Sequence, residues 1–126
     1  MAKGFLLFAS ASGALSVMAG AFGAHVLRDR LDEYLFGVYQ TAVQYQVWHT
    51  LALLAVGLWC LLGGATPALR FSGYAFMAGI VLFSGSLYAL CFSGVKALGM
   101  ITPVGGFIFI AAWCALFVAA WRLHTS

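Results

Sequence analysis

Residues 71–95, FSGYAFMAGIVLFSGSLYALCFSGV, form a run of 25 without a single Lys, Arg, Asp or Glu. A helix of about 20 apolar residues crosses the roughly 30 Å hydrocarbon core of a bilayer, so this run is long enough to span a membrane. On either side, residues 34–69 and 97–121 are equally free of charge, and residues 4–27 open the chain in the same way. Four such runs predict an all-α membrane protein, an antiparallel bundle of four transmembrane helices. The expected spans cover about 4–27, 40–62, 68–92 and 103–122.

Composition agrees. Hydrophobic residues make up 64% of the 126 residues and charged residues only 7%, against about 25% charged in ordinary soluble domains. No linker, charge block or low-complexity segment divides the chain, which predicts one transmembrane domain over 1–126. The net charge of +3 is spread over Lys3, Arg28, Arg30, Arg70, Lys96 and Arg122. That is too little and too scattered to bind nucleic acid. Cys60, Cys91 and Cys114 lie in apolar runs at no metal-ligand spacing and read as small hydrophobes. Lys3 ahead of an apolar stretch imitates a signal peptide, but the segment is expected to stay as an uncleaved first span.

Within that span Ser12, Ser16, Gly20 and Ala24 recur every four residues. Small residues at that interval let membrane helices approach closely, so the ridge predicts helix packing; lining a permeation path is the other use open to it. Residues 28–33, RDRLDE, carry five of the nine charges and must lie in water or headgroups. The uncharged segment that follows is too long for one perpendicular span, which predicts a short interfacial helix before the second span, with Tyr34, Tyr39, Tyr45 and Trp48 near headgroup level. Gly63 and Gly64 read as its C-terminal stop. Thr66-Pro67 and Thr102-Pro103 each read as an N-cap followed by a first-turn proline.

Lys and Arg tie between the two sides: Lys3, Arg70 and Arg122 against Arg28, Arg30 and Lys96. Asp29, Asp32 and Glu33 all fall on the second side and tip the expectation toward cytoplasmic termini.

An antiparallel bundle gathers polar residues into one half of the membrane. His25 ends span one, Gln40, Gln44, Gln46 and His49 begin span two, Ser84, Ser86 and Tyr88 come late in span three, and Thr102 begins span four. Polar groups in hydrocarbon need partners, so a polar pocket or hydrogen-bonded plug is expected there. For His49 three roles are open: a titrating group, a ligand to metal or haem with His25, or a structural donor. Two histidines without Cys or carboxylate company make a weak metal signal, and no metal or cofactor is expected. His124 beside Arg122 reads as solvated. No nucleophile with an adjacent base occurs at a catalytic spacing, so no catalytic residues are expected.

Residues 20–25 (GAFGAH), 39–46 (YQTAVQYQ) with His49 and 51–54, 82–88 (LFSGSLY) and 101–106 (ITPVGG) with Trp113 run in order along nearly the whole chain. In these stretches the sequence resembles the domain of unknown function 423 family of small, transmembrane protein 256-like, four-span membrane proteins. The resemblance implies a bacterial inner (plasma) membrane protein with no assigned activity. Its motif positions here are His25, Gln44, His49, Ser84, Gly85, Tyr88, Thr102, Pro103, Gly105 and Gly106. Physical reading adds that Gly105 and Gly106 leave bare backbone at a helix start, suited to close packing or to an anion.

Two functions stay open. One is a non-enzymatic protein that binds lipid or another small ligand or serves as an accessory component, homo-oligomeric through its small-residue faces, with membrane lipids and an unidentified membrane protein as partners. The other is a small transporter or channel with a polar pathway through His25 and His49. An apolar floor beneath His49 favours the first.

Overall fold

A computed structural model describes residues 1–123. Helix α1 runs Ala2–His25 and α2 Glu33–Gly63. The third span is made of α3 (Pro67–Gly79), a π-helical turn (Ile80–Ser84) and α4 (Gly85–Ser93), and the fourth is α5 (Thr102–Trp121). Short 3-10 segments, Leu27–Asp29 and Lys96–Met100, close the two loops at one end. All four spans are long and apolar enough to cross a membrane. His124 lies outside the described residues.

Large apolar side chains cover the outside: Leu62 is 84% exposed and Trp121 79%. In water such a surface would drive aggregation, whereas lipid wets it without cost. Specificity inside must therefore come from packing and hydrogen bonds rather than from hydrophobic burial.

α2 is the centre. Its buried positions Tyr39, Ala42, Gln46, His49, Leu53, Val56 and Cys60 alternate spacings of three and four, and Thr50 and Gly57 widen the stripe. That breadth lets α2 take α1 on one side and the third span on the other, while α5 packs against α3 and the π turn. α1 answers with Phe5, Ala9, Ser12, Ser16 and Gly23, in steps of four, three, four and then seven, as in helices that coil gently around one another. This corrects the expected ridge at its far end. Ser12 and Ser16 are buried and Gly20 faces Val43, but Ala24 is exposed and the tight contact falls on Gly23, where a Cβ would strike the Tyr39 ring. A row of residues four apart slants across the helix axis, so it leaves a neighbour after a few turns.

α2 holds 31 residues, about 46 Å at 1.5 Å per residue, and exceeds the hydrocarbon core by about 16 Å. The short interfacial helix expected before the second span is thus the first turns of α2 itself, unbroken. Asp32 starts it by accepting from the Leu35 N–H at 2.7 Å, so a carboxylate of the charged loop serves as an N-cap. Gly64, at φ 85°, ends it. Thr66 caps α3 as expected, accepting from the Leu69 N–H at 3.2 Å. Thr102 does not cap α5: it is the first helical residue, Ile101 precedes it without a side-chain cap, and its hydroxyl is used elsewhere.

The π turn lies in the contact between the third span and α5. Phe109 rests on Gly79, and Gly105 lies against the backbone of Phe83. Such turns are often found at functional sites.

The adjacent glycines separate cleanly in the packing. A Cβ on Gly105 would lie 2.5 Å from the Phe83 backbone nitrogen, whereas on Gly106 the nearest contact is the Phe83 ring at 3.9 Å. Gly105→Ala is expected to lose about 1–3 kcal/mol by forcing α5 off the third span, while Gly106→Ala stays within about 0.5 kcal/mol; unfolding by denaturing detergent in mixed micelles measures both.

Candidate functional site

Residues three and four apart on α2 point to different neighbours. Gln46 and Thr50, one turn apart, face α1. Thr50 Oγ1 and Ser12 Oγ lie 2.7 Å apart, and Gln46 Nε2 donates to both the Ser12 carbonyl and its Oγ, each at 3.2 Å. From the third span Tyr88 OH donates to Gln46 Oε1 at 2.6 Å. Three spans are thereby tied through one amide. Tyr39 OH donates to the Ala19 carbonyl and its ring meets Tyr88 edge-on.

Three further buried serines tie other pairs of elements. Ser84, within the π turn, donates to the Ala42 carbonyl at 2.8 Å. Ser86 Oγ and Thr102 Oγ1 are 2.6 Å apart and join α4 to α5. Ser72 donates to the Ala112 carbonyl at 3.0 Å. Among the described residues, every buried side-chain nitrogen and oxygen has a partner.

The expected single polar cluster is therefore divided. His25, Gln40 and Gln44 are exposed, the two glutamines lining a cleft of about 270 Å³ with Arg28. Tyr88 joins the Gln46 network; Ser84, Ser86 and Thr102 make their own pairs. No group of three or more His, Cys, Asp or Glu among the described residues could hold a metal ion.

His49 stands apart, on the face turned to α5. It is 6% exposed. Phe109 stacks on the imidazole with centroids 3.6 Å apart and planes 11° apart, and Tyr45 lies nearly parallel at 5.7 Å. Trp113 approaches edge-on at 5.9 Å. Nδ1 lies 2.7 Å from the Tyr45 carbonyl. A carbonyl oxygen only accepts, so Nδ1 carries the hydrogen and the neutral ring presents a lone pair at Nε2. Nε2 has no protein partner among the described residues, and since no buried nitrogen is unsatisfied it reaches open space. The His49 ring lines a groove of about 390 Å³ together with Tyr45, Phe83, Pro103, Gly106, Phe109 and Trp113.

A second groove, about 500 Å³, opens between α1 and the third span over Tyr39, Gln46 and Tyr88. Its polar floor is already self-satisfied. The aromatic shell of His49 escaped the sequence reading because Phe109 and Trp113 lie on another span; Tyr45 and His49, four apart, were the one local signal.

The Gln46 network yields a quantitative expectation. Gln46→Leu leaves Tyr88 OH without its acceptor and removes the two hydrogen bonds to Ser12, whose hydroxyl keeps Thr50, and is expected to destabilise the bundle by about 1 kcal/mol, the scale of interhelical hydrogen bonds in membranes. Adding Tyr88→Phe to Gln46→Leu should cost much less than Tyr88→Phe alone, a non-additivity read from a double-mutant cycle of unfolding free energies.

Residues 19–106 match the family described as protein of unknown function (DUF423). The UPF0382 inner membrane protein YgdD of Escherichia coli (strain K12) is 43% identical over 94% of this chain and 89% of its own length. The UPF0382 membrane protein YwdK of Bacillus subtilis (strain 168) is 39% identical over 94% and 96%, and SAB0533 of Staphylococcus aureus (strain bovine RF122 / ET3-1) 38% over 95% and 97%. No solved structure matches the chain. With four spans and relatives of this breadth, the chain is an integral membrane protein of the inner membrane and belongs to the DUF423 family.

Proposed function

We propose that this protein is a non-enzymatic binder of a lipid-soluble ligand, which enters the His49 groove sideways from the bilayer. One observation carries the reading: the His49 ring is buried and held by a fixed hydrogen bond at Nδ1, it lines an aromatic groove, and its Nε2 has no protein partner among the described residues. A polar atom at that depth gains from a partner that lipid tails do not supply. The groove volume of about 390 Å³ falls in the range of small-molecule sites.

Binding is favoured over passage by what lies beneath. Phe5, Leu53, Val56, Leu69 and Phe76 fill the half of the bundle toward the chain termini, all buried. His25 is exposed at the end of α1 and does not line the His49 groove. The reading is also non-catalytic: the rings around the imidazole bring no nucleophile or carboxylate to it, and general base catalysis needs a reacting group within hydrogen-bond reach.

Gly106 and Gly85 allow a test with an internal control. Gly106 lines the His49 groove and has room for a side chain; Gly85 lines the groove beside Tyr88 and faces open space. Protein extracted from membranes in mild detergent is expected to carry a lipophilic compound detectable by mass spectrometry. Gly106→Leu should lower its yield severalfold while Gly85→Leu leaves it unchanged, with helicity by circular dichroism equal in all three. Equal retention in both variants would refute binding at His49.

A further inference from the structure

We propose that the cleft between α1 and α2 beside the charged loop holds the headgroup of an anionic glycerophospholipid, with its phosphate diester at Arg28 and the amides of Gln40 and Gln44. The site is separate from the His49 groove and stands whether or not that groove is occupied.

Two flanks of unlike chemistry make the cleft. α1 supplies Gly20, Gly23 and Ala24, while α2 supplies Gln40 and Gln44 one turn apart and Arg28 enters from the 3-10 segment of the loop. Small residues keep the α1 flank low, so a space of about 270 Å³ stays open beside it. Tyr39 also lines this space, but its hydroxyl is already given to the Ala19 carbonyl. Neither Gln40 nor Gln44 is folded into the bundle: both are exposed.

The polar groups that remain describe their complement. A guanidinium offers five N–H donors and no acceptor, and each amide adds two donors and one carbonyl. A phosphate diester brings a negative charge and two unesterified oxygens that only accept, the geometry that arginine binds through paired N–H groups. Three carboxylates share the loop with Arg28, but Asp32 is committed to the Leu35 N–H, and Asp29 and Glu33 do not line the cleft. The amide carbonyls can accept from hydroxyls of the headgroup, so a glycerol headgroup uses both ends of each glutamine. A zwitterionic headgroup carries its own ammonium beside the phosphate, which competes with Arg28 for it.

Depth points to a lipid as the source of that phosphate. Gln44 lies about 16 Å along α2 from Glu33 at 1.5 Å per residue, which is the length by which this helix exceeds the hydrocarbon core. Gln40 therefore stands in the headgroup layer and Gln44 at its inner margin. Val43 and Gly20, in the same cleft, give the first carbons of an acyl chain an apolar wall.

The test uses the full chain in nanodiscs holding phosphatidylcholine, phosphatidylethanolamine and phosphatidylglycerol in equal amounts, released into mild detergent and read by native mass spectrometry for lipid that stays bound. The parent is expected to retain phosphatidylglycerol in preference to both zwitterionic lipids. Arg28→Gln should lower that preference about fivefold, the scale of one basic residue facing an anionic membrane surface. Arg30→Gln makes the same change of charge in the same loop at a residue that does not line the cleft, and should leave the preference unchanged. Gln40→Leu/Gln44→Leu should lower it with every charge intact, and because both positions are exposed its helicity by circular dichroism should equal the parent's. Retention of the three lipids in equal amounts by the parent would overturn the site. So would equal losses in Arg28→Gln and Arg30→Gln, which mark diffuse attraction between the loop and membrane charge. Displacement of the bound lipid by excess glycerol 3-phosphate would overturn the lipid as occupant and assign the cleft to a soluble phosphate.

Discussion

A hydrogen bond lost in hydrocarbon is not replaced by water, and the bundle is organised around that constraint at Gln46. Its amide gives Nε2 to Ser12 on α1 and takes Tyr88 from the third span at Oε1. Any slip of either neighbour along α2 leaves an amide or phenol unpaired where nothing else can partner it. Register between three spans is set by this side chain, and the smooth contacts of Ala42, Leu53 and Val56 then follow. Only α5 is outside its reach, and there the Ser86–Thr102 pair and the seating of Gly105 on Phe83 do the same work.

With register set, α2 behaves as a partition. Its Gln46–Thr50 side is saturated with partners, whereas its Tyr45–His49 side is ring against ring along a groove. A satisfied network stiffens a core, and an open acceptor beside a cavity invites a ligand. Both sides occur at nearly the same depth because residues 46 and 49 are less than a turn apart. The division between architecture and recognition is thus lateral, across the helix.

Much of the fold was legible in the chain. Gaps between charges mark four spans, Thr66-Pro67 marks a start, and Gly63-Gly64 marks a stop. Three features were not. The continuity of α2 through the interface depends on the Asp32 cap, which a charged loop disguises. Thr102 carries the same local cap signature as Thr66, yet Ser86 from another span claims its hydroxyl. Polar residues sharing one half of the membrane looked like one cluster because depth can be counted along a helix, whereas azimuth depends on which neighbours α2 has. Gln46 and His49 differ by about 60° around the axis, enough to turn them toward different neighbours.

The π turn at Ile80–Ser84 has a consequence for how one span serves two neighbours. A turn that holds an extra residue rotates everything after it by about 100° relative to a uniform helix. Upstream, Gly79 is seated under Phe109 of α5; within and beyond the turn, Ser84 and Tyr88 address α2 while Ser86 reaches Thr102 of α5. The third span thus works as two short helices set out of phase within one continuous rod that meets both α2 and α5. A uniform helix of the same sequence would have to favour one of these surfaces at the other's expense.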